Sequence, residues 1–272
     1  MAKPRMRVMS IMAHQDDFEF NAGGTFALLR KTLGDGVELK VLATTRGATG
    51  HHIMTPDETF ERRGKEAAKS AALIGASYEC LTLLDGSHLP GQVCLDRDFL
   101  GGVWNAIRAF EPDVVFCPPV VNDPLAGVHV DHINTAHAVR LVAYQVVVPN
   151  AYPTMNGPKK LYVPSPLIIN VDDVYTGESG CDIRQDIRSV YSVKERMALC
   201  HESQIFEWLP FAGNEKPPTR EQWRKRFRRR HDIINERYGK KDGIASEYFR
   251  VTRWGRPPKD GELEKLFPKR IK

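Results

Sequence analysis

The chain has 272 residues, of which 42% are hydrophobic and 27% are charged, and its formal net charge is +5. A chain of this length can bury a substantial core and lies at the upper end of what one domain usually holds. It contains no apolar run long enough to span a membrane, and its N-terminus lacks the pattern of a secretory signal. We therefore expect a cytoplasmic protein without membrane insertion.

The five cysteines are isolated from one another and form no Cys-x-x-Cys pair. An odd, scattered set of cysteines in an α/β protein is typical of reduced thiols and argues against a structural zinc knuckle. They are Cys80, Cys94, Cys117, Cys181 and Cys200.

The positive charge belongs to the C-terminal part of the chain. Residues 216–272 carry 19 Lys and Arg against 8 Asp and Glu, whereas residues 1–215 carry 20 against 26. The densest basic run, residues 224–230, could contact nucleic acid or another anionic surface. A solvated or subunit-contacting helix face is the favoured interpretation, because no recognised nucleic-acid motif accompanies the run.

Strands and helices alternate along most of the chain. The predicted strands cover residues 7–12, 37–44, 79–84, 113–117 and 166–171. The predicted helices cover residues 23–31, 57–73, 97–110, a segment starting near 131, 193–203 and 220–238. This alternation predicts an α/β fold with a Rossmann-like, doubly wound and mostly parallel sheet. We expect residues 1–210 to form the main domain and residues 211–272 to form a helical, basic extension that packs on it or flanks it.

Two short motifs, more than a hundred residues apart, carry most of the chemically active side chains. The sequence AHQDDFE at residues 13–19 follows the first predicted strand, and HVDH at residues 129–132 follows the fourth. In a doubly wound sheet these two strands are neighbours, and ligands bind outside their carboxyl ends, where the strand order reverses. The predicted topology therefore brings both motifs to one cleft.

The side chains of the two motifs suit a hydrolytic metal site. A catalytic zinc ion takes three His or carboxylate ligands and leaves a position for water. His14, Asp17 and His132 would make such a set. Asp16, next to a ligand in sequence, is the candidate general base that takes a proton from the water.

His129 and Asp131 are the remaining polar residues of the second motif. His129, if protonated, could stabilise an oxyanion and protonate a leaving amine, with Asp131 orienting its imidazole. Taken alone, each motif could be simple helix capping. A dinucleotide site is disfavoured because the first strand runs into His-Gln-Asp-Asp and not into Gly-x-Gly-x-x-Gly, and carboxylates there would repel a pyrophosphate. The joint occurrence of both motifs at one switch point favours the metal site.

With these motifs, the sequence resembles the PIG-L (LmbE-like) family of zinc-dependent N-acetylglucosamine deacetylases. The family hallmarks are Ala-His-Pro-Asp-Asp-x-Glu after the first strand and a later His-x-Asp-His, and the resemblance covers about residues 5–205. Further positions also fit the family pattern: Gly23-Gly24-Thr25, Thr45-x-Gly47-x-x-Gly50, Arg63-x-x-Glu66, Leu73-x-Gly75, Asp85 and His201-x-Ser203-Gln204.

The resemblance implies one zinc ion per chain and a role for each motif residue. The implied metal ligands are His14, Asp17 and His132. Asp16 is the implied general base. His129 is the implied residue that assists the tetrahedral intermediate, and Asp131 is implied to support His129.

The resemblance also implies roles outside the metal ligands. Arg63 and Asp85 match positions that contact substrate, and Glu19 is expected to bond to the imidazole of a metal ligand and fix its tautomer. One residue departs from the family pattern, because Gln15 stands where the family has proline. Proline would fix φ and stiffen this turn. Glutamine keeps the spacing but is expected to loosen or re-aim the loop.

Several residues late in the chain have two possible roles each, one at the site and one in the structure around it. His201 and Gln204 could reach the cleft or could simply tie down a helix. Trp208, Trp223 and Trp254 lie outside the matched segment and could shape a substrate rim or a subunit contact.

Together, the motifs and the resemblance predict a metal-dependent hydrolase that removes an N-acetyl or related acyl group from an N-acetylglucosamine-type sugar or its conjugate. Zinc is the expected metal, although His and carboxylate ligands also admit other divalent cations. The expected partner is a small amino-sugar substrate, nucleic acid is not expected, and a homo-oligomer is compatible with the sequence. The alternative is a non-catalytic binding protein of the same fold that uses residues 216–272 to contact nucleic acid or a protein.

Overall fold

A computed structural model describes residues 5–121, 123, 125, 127–155, 157–173 and 180–271. The strands are β1 Met6–Met12, β2 Val37–Ala43, β3 Ser77–Cys80, β4 Val114–Cys117, β5 Leu167–Val171, β6 Ile183–Asp186, β7 Ser246–Val251 and β8 Arg270–Ile271. The helices are α1 Asp17–Asn21, α2 Gly23–Leu33, α3 Pro56–Ala72, α4 Arg97–Phe110, α5 Val130–Gln145, α6 Tyr191–Ala198, α7 Leu209–Ala212, α8 Arg220–Arg237 and α9 Glu262–Leu266.

The strands of the described residues form one sheet in the order β3-β2-β1-β4-β5-β7-β6-β8. Strands β1 to β5 pair in parallel, and the order reverses between β1 and β4. This is the switch point that the sequence predicts, and the mostly parallel α/β fold is confirmed. Loops that follow β1 and β4 therefore meet at one edge of the sheet.

Helices cover both faces of the sheet because the parallel strands are apolar on both sides. Along β1, Val8 packs into the core that contains Phe26 and Phe116, whereas Met9 packs into the opposite core with Trp104. This alternation follows from the two-residue period of a strand. The two cores enclose the first and fourth strands, and the loops that carry the two motifs follow directly from these strands.

The C-terminal part of the chain is built into the sheet. Strand β7 lies between β5 and β6 and pairs antiparallel with both. Its buried Glu247 accepts hydrogen bonds from the backbone N–H groups of Gly24 (2.8 Å) and Thr25 (2.7 Å) at the start of α2, and from Lys194 Nζ (2.6 Å). The sheet therefore continues past the predicted domain boundary at residue 210, because β7 belongs to it.

The predicted basic helix is α8, and most of its charge is paired within the chain. Ion pairs join Arg220 to Glu202, Arg224 to Glu195, Lys225 to Glu221, Arg226 to Glu215 and Arg228 to Asp232. On the other side of α8, Trp223 and Phe227 are buried against residues of α6 and the segment that follows it. Among the helices of the described residues, none is both long enough and apolar enough to cross a bilayer.

Two predicted elements differ from the observed ones. Strand β3 ends at Cys80 instead of residue 84, and the chain then turns at Gly86 and returns toward the switch point. The helix predicted to end at residue 203 ends at Ala198, and a separate π-helical turn covers Ser203–Trp208. Glu66 fixes the start of this turn by accepting hydrogen bonds from the backbone N–H (3.0 Å) and Oγ (2.6 Å) of Ser203.

Candidate metal centre

Three side chains converge at the switch point. His14 lies in the turn after β1, Asp17 opens α1, and His132 lies in the first turn of α5. Asp17 Oδ2 is 3.4 Å from His14 Nδ1 and 3.4 Å from His132 Nε2. The three residues offer ligand atoms that all lie within 4.8 Å of one another. The structure thus brings together the three residues that the sequence suggests as metal ligands.

The electrostatics of these three groups favour a bound cation. Burial disfavours the protonated form of His14, but the Asp17 carboxylate and a hydrogen bond with Asp131 outweigh burial and raise the pKa of His14 to about 9. Burial also opposes a charge on His132, yet Asp17 and Asp173 raise its pKa. Despite burial, the two imidazoles lower the pKa of Asp17. The carboxylates thus favour positive charge between the two imidazoles and Asp17. A divalent cation bound there can replace the protons of the two imidazoles that face Asp17.

Each of the two ligand-candidate histidines is bonded to a second carboxylate. Asp131 Oδ2 is 3.1 Å from His14 Nε2, and Asp173 Oδ2 is 2.5 Å from His132 Nδ1. Because one ring nitrogen of each histidine bonds to a carboxylate, the other ring nitrogen is the one that faces Asp17. Histidines that bind metals are commonly held in this way. The donor set therefore fits a zinc site.

Asp131 has a different partner from the expected one. Its carboxylate bonds to His14 Nε2 and accepts the backbone N–H of Val93 (2.7 Å), whereas its own backbone N–H donates to His129 Nδ1 (3.2 Å). The reason is geometric, since His129 is the N-cap of α5 and its ring bonds to the first turn of the helix. Asp131 thus acts on His14 through its side chain and on His129 through its backbone.

His129 lies beside the metal-ligand candidates, with its ring 4.9 Å from that of His14. Burial and the neighbouring His14 and His132 lower the pKa of His129. Since Nδ1 accepts a hydrogen bond, the neutral ring carries its proton on Nε2. The lowered pKa favours the neutral form of the ring, with its N–H on Nε2. His14, His129 and Asp131 form a second group with metal-ligand spacing, but a hydrogen bond already joins His14 to Asp131.

Asp16, the candidate general base, lines the same cleft and is held by an arginine. Asp16 Oδ1 accepts a hydrogen bond from Arg63 Nη2 at 2.7 Å, and Arg63 Nη1 donates to the carbonyl of Gly47 at 3.0 Å. Arg63 is only 3% exposed. Arg63 thus lines the cleft, and its bond to Asp16 fixes the direction of that carboxylate.

Gln15, which stands where the family pattern has proline, joins the first motif to a neighbouring loop through its side chain. Its side chain is fully buried and its Nε2 donates to the carbonyl of Arg46 at 2.5 Å. Gly47, with φ at +56°, passes so close that a Cβ there would lie 2.4 Å from Gln15 Oε1. Gln15 therefore ties the loop after β1 to the loop after β2, which a proline could not do because it lacks a polar side chain.

Two further sequence assignments are not matched by the positions of the side chains. Glu19 is buried, accepts a hydrogen bond from Ser70 Oγ (2.5 Å) and lies 3.1 Å from His201 Nε2, and neither of these residues is a metal-ligand candidate. The reason is that Glu19 lies on the side of α1 that faces α3 and the segment after α6. Asp85 is exposed in a turn, where it accepts the backbone N–H of Ser87 (2.8 Å), and it is not among the described residues that line the cleft.

The cleft has a volume of about 420 Å³. One of its walls is formed by the two motifs, and another comes from the C-terminal part of the chain. Gln204, Trp208 and Leu209 contribute to this wall, and Gln204 Nε2 donates to the carbonyl of Gly50 at 3.1 Å. Gln204 and Trp208 belong to the π-helical turn, a form that is frequent at functional sites. Gln204 therefore reaches the cleft, whereas the buried His201 pairs with Glu19. Sequence alone did not separate these two outcomes.

Close to half of the chain matches a known protein family. The model of the PIG-L family, described as GlcNAc-PI de-N-acetylase, matches residues 9–143. Residues 9–143 form a PIG-L family domain. The matched residues contain both motifs, the second half of β1, all of β2, β3 and β4, and all but the last two residues of α5.

The relatives of the PIG-L domain include enzymes of more than one class. The 4-oxalmesaconate hydratase of Pseudomonas putida is 25% identical over 223 residues, which cover 76% of this chain and 78% of that protein. Among solved structures, the 4-carboxy-2-hydroxymuconate hydratase GalB of Pseudomonas putida has a TM-score of 0.65 at 19% identity, with 94% of this chain and 99% of that chain covered. The N,N'-diacetylchitobiose deacetylase of Pyrococcus horikoshii has a TM-score of 0.64 at 21% identity, with 91% and 84% covered. These structural likenesses show a shared fold.

Proposed function

We propose that this chain is a metal-dependent hydrolase that removes an N-acetyl or related acyl group from an amino sugar of the N-acetylglucosamine type. The observation that carries the proposal is the convergence of His14 Nδ1, Asp17 Oδ2 and His132 Nε2 in a cleft that also contains Asp16. The PIG-L domain supports the same reaction class, because its family model is that of a de-N-acetylase.

The proposed mechanism divides the work among four groups. A zinc ion held by His14, Asp17 and His132 would supply a water of lowered pKa and polarise the acyl carbonyl. Asp16 accepts a proton from the attacking water and delivers it to the amine as the C–N bond breaks. Arg63 keeps the Asp16 carboxylate directed into the cleft through a hydrogen bond of 2.7 Å from Arg63 Nη2 to Asp16 Oδ1.

His129 has a separate role in this proposal. Its neutral ring, with the proton on Nε2, donates a hydrogen bond to the carbonyl oxygen as negative charge develops there. The backbone N–H of Asp131 fixes this tautomer by bonding to Nδ1. His129 therefore stabilises the oxyanion without itself changing charge.

The polarity of the cleft supports a substrate rich in hydroxyl groups. Thr49, Gln92 and Gln204 offer neutral donors and acceptors around the metal-ligand candidates. Among the described lining residues the only arginine or lysine is Arg63, and its guanidinium is bonded to Asp16. Neutral hydrogen-bonding groups suit sugar hydroxyls better than they suit several carboxylates.

A hydratase is the second candidate, because the curated relative at 25% identity is a 4-oxalmesaconate hydratase. Adding water to a carbon–carbon double bond also needs an activated water and a general base, so His14, Asp17, His132 and Asp16 would serve either reaction. The shortage of uncommitted cations among the described lining residues places this candidate second, since its substrate would bear several carboxylates.

One experiment distinguishes the two reactions. The zinc-loaded full chain is incubated with N-acetylglucosamine, N,N'-diacetylchitobiose and, separately, 4-oxalmesaconate, while released acetate, free amine and loss of ultraviolet absorbance are measured. We expect equal amounts of acetate and amine, lost on chelation and restored by zinc. Hydration of 4-oxalmesaconate without acetate release would replace the proposal with the second candidate. Absence of acetate release from both sugars would contradict the proposal.

A further inference from the structure

We propose that Asp173 is a positioning residue, which fixes His132 as a metal ligand through Nε2 and strengthens metal binding. Neither motif contains Asp173, and it lies two residues beyond the end of β5. Because β5 pairs in parallel with β4, its end lies at the same edge of the sheet as the loop that leads to α5 and His132. The inference deepens the proposed function and rests on its metal site.

The bond between the two side chains is short and shielded from water. Asp173 Oδ2 lies 2.5 Å from His132 Nδ1, and both side chains are only 1% exposed. A neutral imidazole carries one N–H, and a carboxylate at Nδ1 requires the proton to be there. The lone pair is then on Nε2, the atom that lies 3.4 Å from Asp17 Oδ2. Asp173 thus selects the tautomer that can bind a cation together with Asp17.

The other candidate ligand is held in the complementary way. Asp131 Oδ2 bonds to His14 Nε2, so the lone pair of His14 is on Nδ1, and this atom faces Asp17. Two buried carboxylates from different parts of the chain therefore direct two different ring nitrogens toward the same point. A carboxylate behind a ligand imidazole also makes the ring a stronger electron donor to the metal.

The neighbouring Asp172 provides a matched comparison. Its carboxylate turns toward α8, where it accepts a hydrogen bond from Tyr238 Oη (2.8 Å) and lies 3.3 Å from Arg237 Nη1. Asp172 and Asp173 are both buried and have the same side chain. Of the two aspartates, it is Asp173 that bonds to the imidazole of His132. Substituting each aspartate in turn therefore separates the positioning of a metal ligand from the anchoring of the chain after β5.

The test measures zinc affinity of the full chain by competition with a chromophoric chelator. We expect Asp173→Asn to raise the zinc Kd by about 10- to 100-fold, while Asp172→Asn leaves the Kd near that of the wild type. Equal Kd values for the wild type and both variants would overturn the inference while leaving the proposed metal site intact. Failure of the wild type to bind zinc at all would instead overturn the proposed function.

A second measurement needs no variant and therefore does not depend on whether Asp173→Asn folds. Nitrogen NMR of the ¹⁵N-histidine-labelled wild-type chain reports which ring nitrogen carries the proton. With zinc bound, we expect the His132 ring to show a protonated Nδ1 and the shift of a metal ligand at Nε2. A His132 ring protonated at Nε2 would overturn the inference.

Discussion

The cleft has two walls of different origin. The N-terminal wall comprises the candidate metal ligands and their neighbours in the two motifs: His14, Asp16, Asp17, His129, Asp131 and His132. The C-terminal wall comprises Gln204, Trp208 and Leu209. The first wall carries the ionisable groups that can hold a cation and move a proton, whereas the second presents an amide, an indole and an aliphatic side chain. Under the proposed function, the first wall carries the reaction chemistry, and the second wall adds to the substrate contacts that Thr49 and Gln92 offer.

The two walls are also held in place differently. The N-terminal wall follows β1 and β4, which are buried between the two cores of the sheet. The C-terminal wall belongs to a π-helical turn and the start of α7, and hydrogen bonds from Ser203 to Glu66 and from Gln204 to Gly50 secure it. Changes in the first wall should therefore abolish chemistry, and changes in the second should alter substrate binding.

The largest expected effect comes from the N-terminal wall. Asp17→Asn keeps the shape of the side chain but removes the charge that faces both histidines. We expect it to lose bound zinc and to lower kcat/KM by at least about a thousandfold, because a catalytic metal supplies several kcal/mol of transition-state stabilisation. Zinc content and turnover measured on the same preparation check this. Near-normal zinc content in this variant would contradict the assigned ligand set.

The next effect tests whether the C-terminal part is integral to the fold. Burial lowers the pKa of Lys194 even though Glu247 lies 2.6 Å away, so Glu247→Gln would leave this buried amine without its counter-charge. Breaking a buried ion pair from one side costs about 3–5 kcal/mol of unfolding free energy, which urea denaturation measures. The control, Glu221→Gln, breaks the exposed pair with Lys225 and should cost less than about 1 kcal/mol. Similar losses in both variants would indicate that the C-terminal part is only loosely attached.

A smaller effect concerns the acid sensitivity of α8. His231 is buried, its Nδ1 lies 3.0 Å from the Ser246 carbonyl, and burial with the nearby Lys194 holds its pKa well below the ordinary value. The unfolded chain therefore takes up a proton near its ordinary pKa of about 6.5 while the folded chain does not, so this group's contribution to stability falls as the pH drops.

The matching experiment compares wild type with His231→Asn by urea denaturation at about pH 7.5 and about pH 5.5. The wild type should lose more stability on acidification, by up to about 1.4 kcal/mol per pH unit below about pH 6.5. Equal losses in both proteins would show that His231 does not stay neutral in the fold.

The smallest effect is expected in the C-terminal wall. Gln204→Ala removes the hydrogen bond to the Gly50 carbonyl and one polar group that lines the cleft. A hydrogen bond between this amide and a substrate hydroxyl contributes about 1 kcal/mol, so its loss should raise KM about fivefold with kcat nearly unchanged. Steady-state kinetics on the amino-sugar substrate provide the measurement. A fall in kcat at constant KM would place Gln204 in the chemistry and remove the distinction between the two walls.

The contrast between the walls also explains how much the sequence could reveal. His14, Asp17 and His132 could be placed together because parallel strands β1 and β4 end at one edge of the sheet, a consequence of strand order alone. The same reasoning could have found Asp173, since it also follows a parallel strand. An Asp-Asp pair after a strand is common, however, and nothing local shows which carboxylate turns toward a histidine.

The remaining features depend on packing that local pattern does not encode. Gln15 differs from the proline of the family pattern, and its bond to the Arg46 carbonyl depends on how closely two loops approach. Strand β7 lies in a basic region, and its antiparallel insertion between β5 and β6 depends on pairing with strands that are distant in sequence. The π-helical turn with Gln204 is likewise set by Glu66, 137 residues earlier in the chain.

The division between metal ligand and proton acceptor in the N-terminal wall is tested most directly by Asp16→Asn. Asp16 points its Oδ1 at Arg63 and does not belong to the ligand-spaced groups of the described residues. We expect the variant to bind about one zinc ion per chain, as in the wild type, and to show a fall in kcat/KM of about 10²- to 10⁴-fold. Turnover close to that of the wild type, or loss of zinc together with activity, would contradict it.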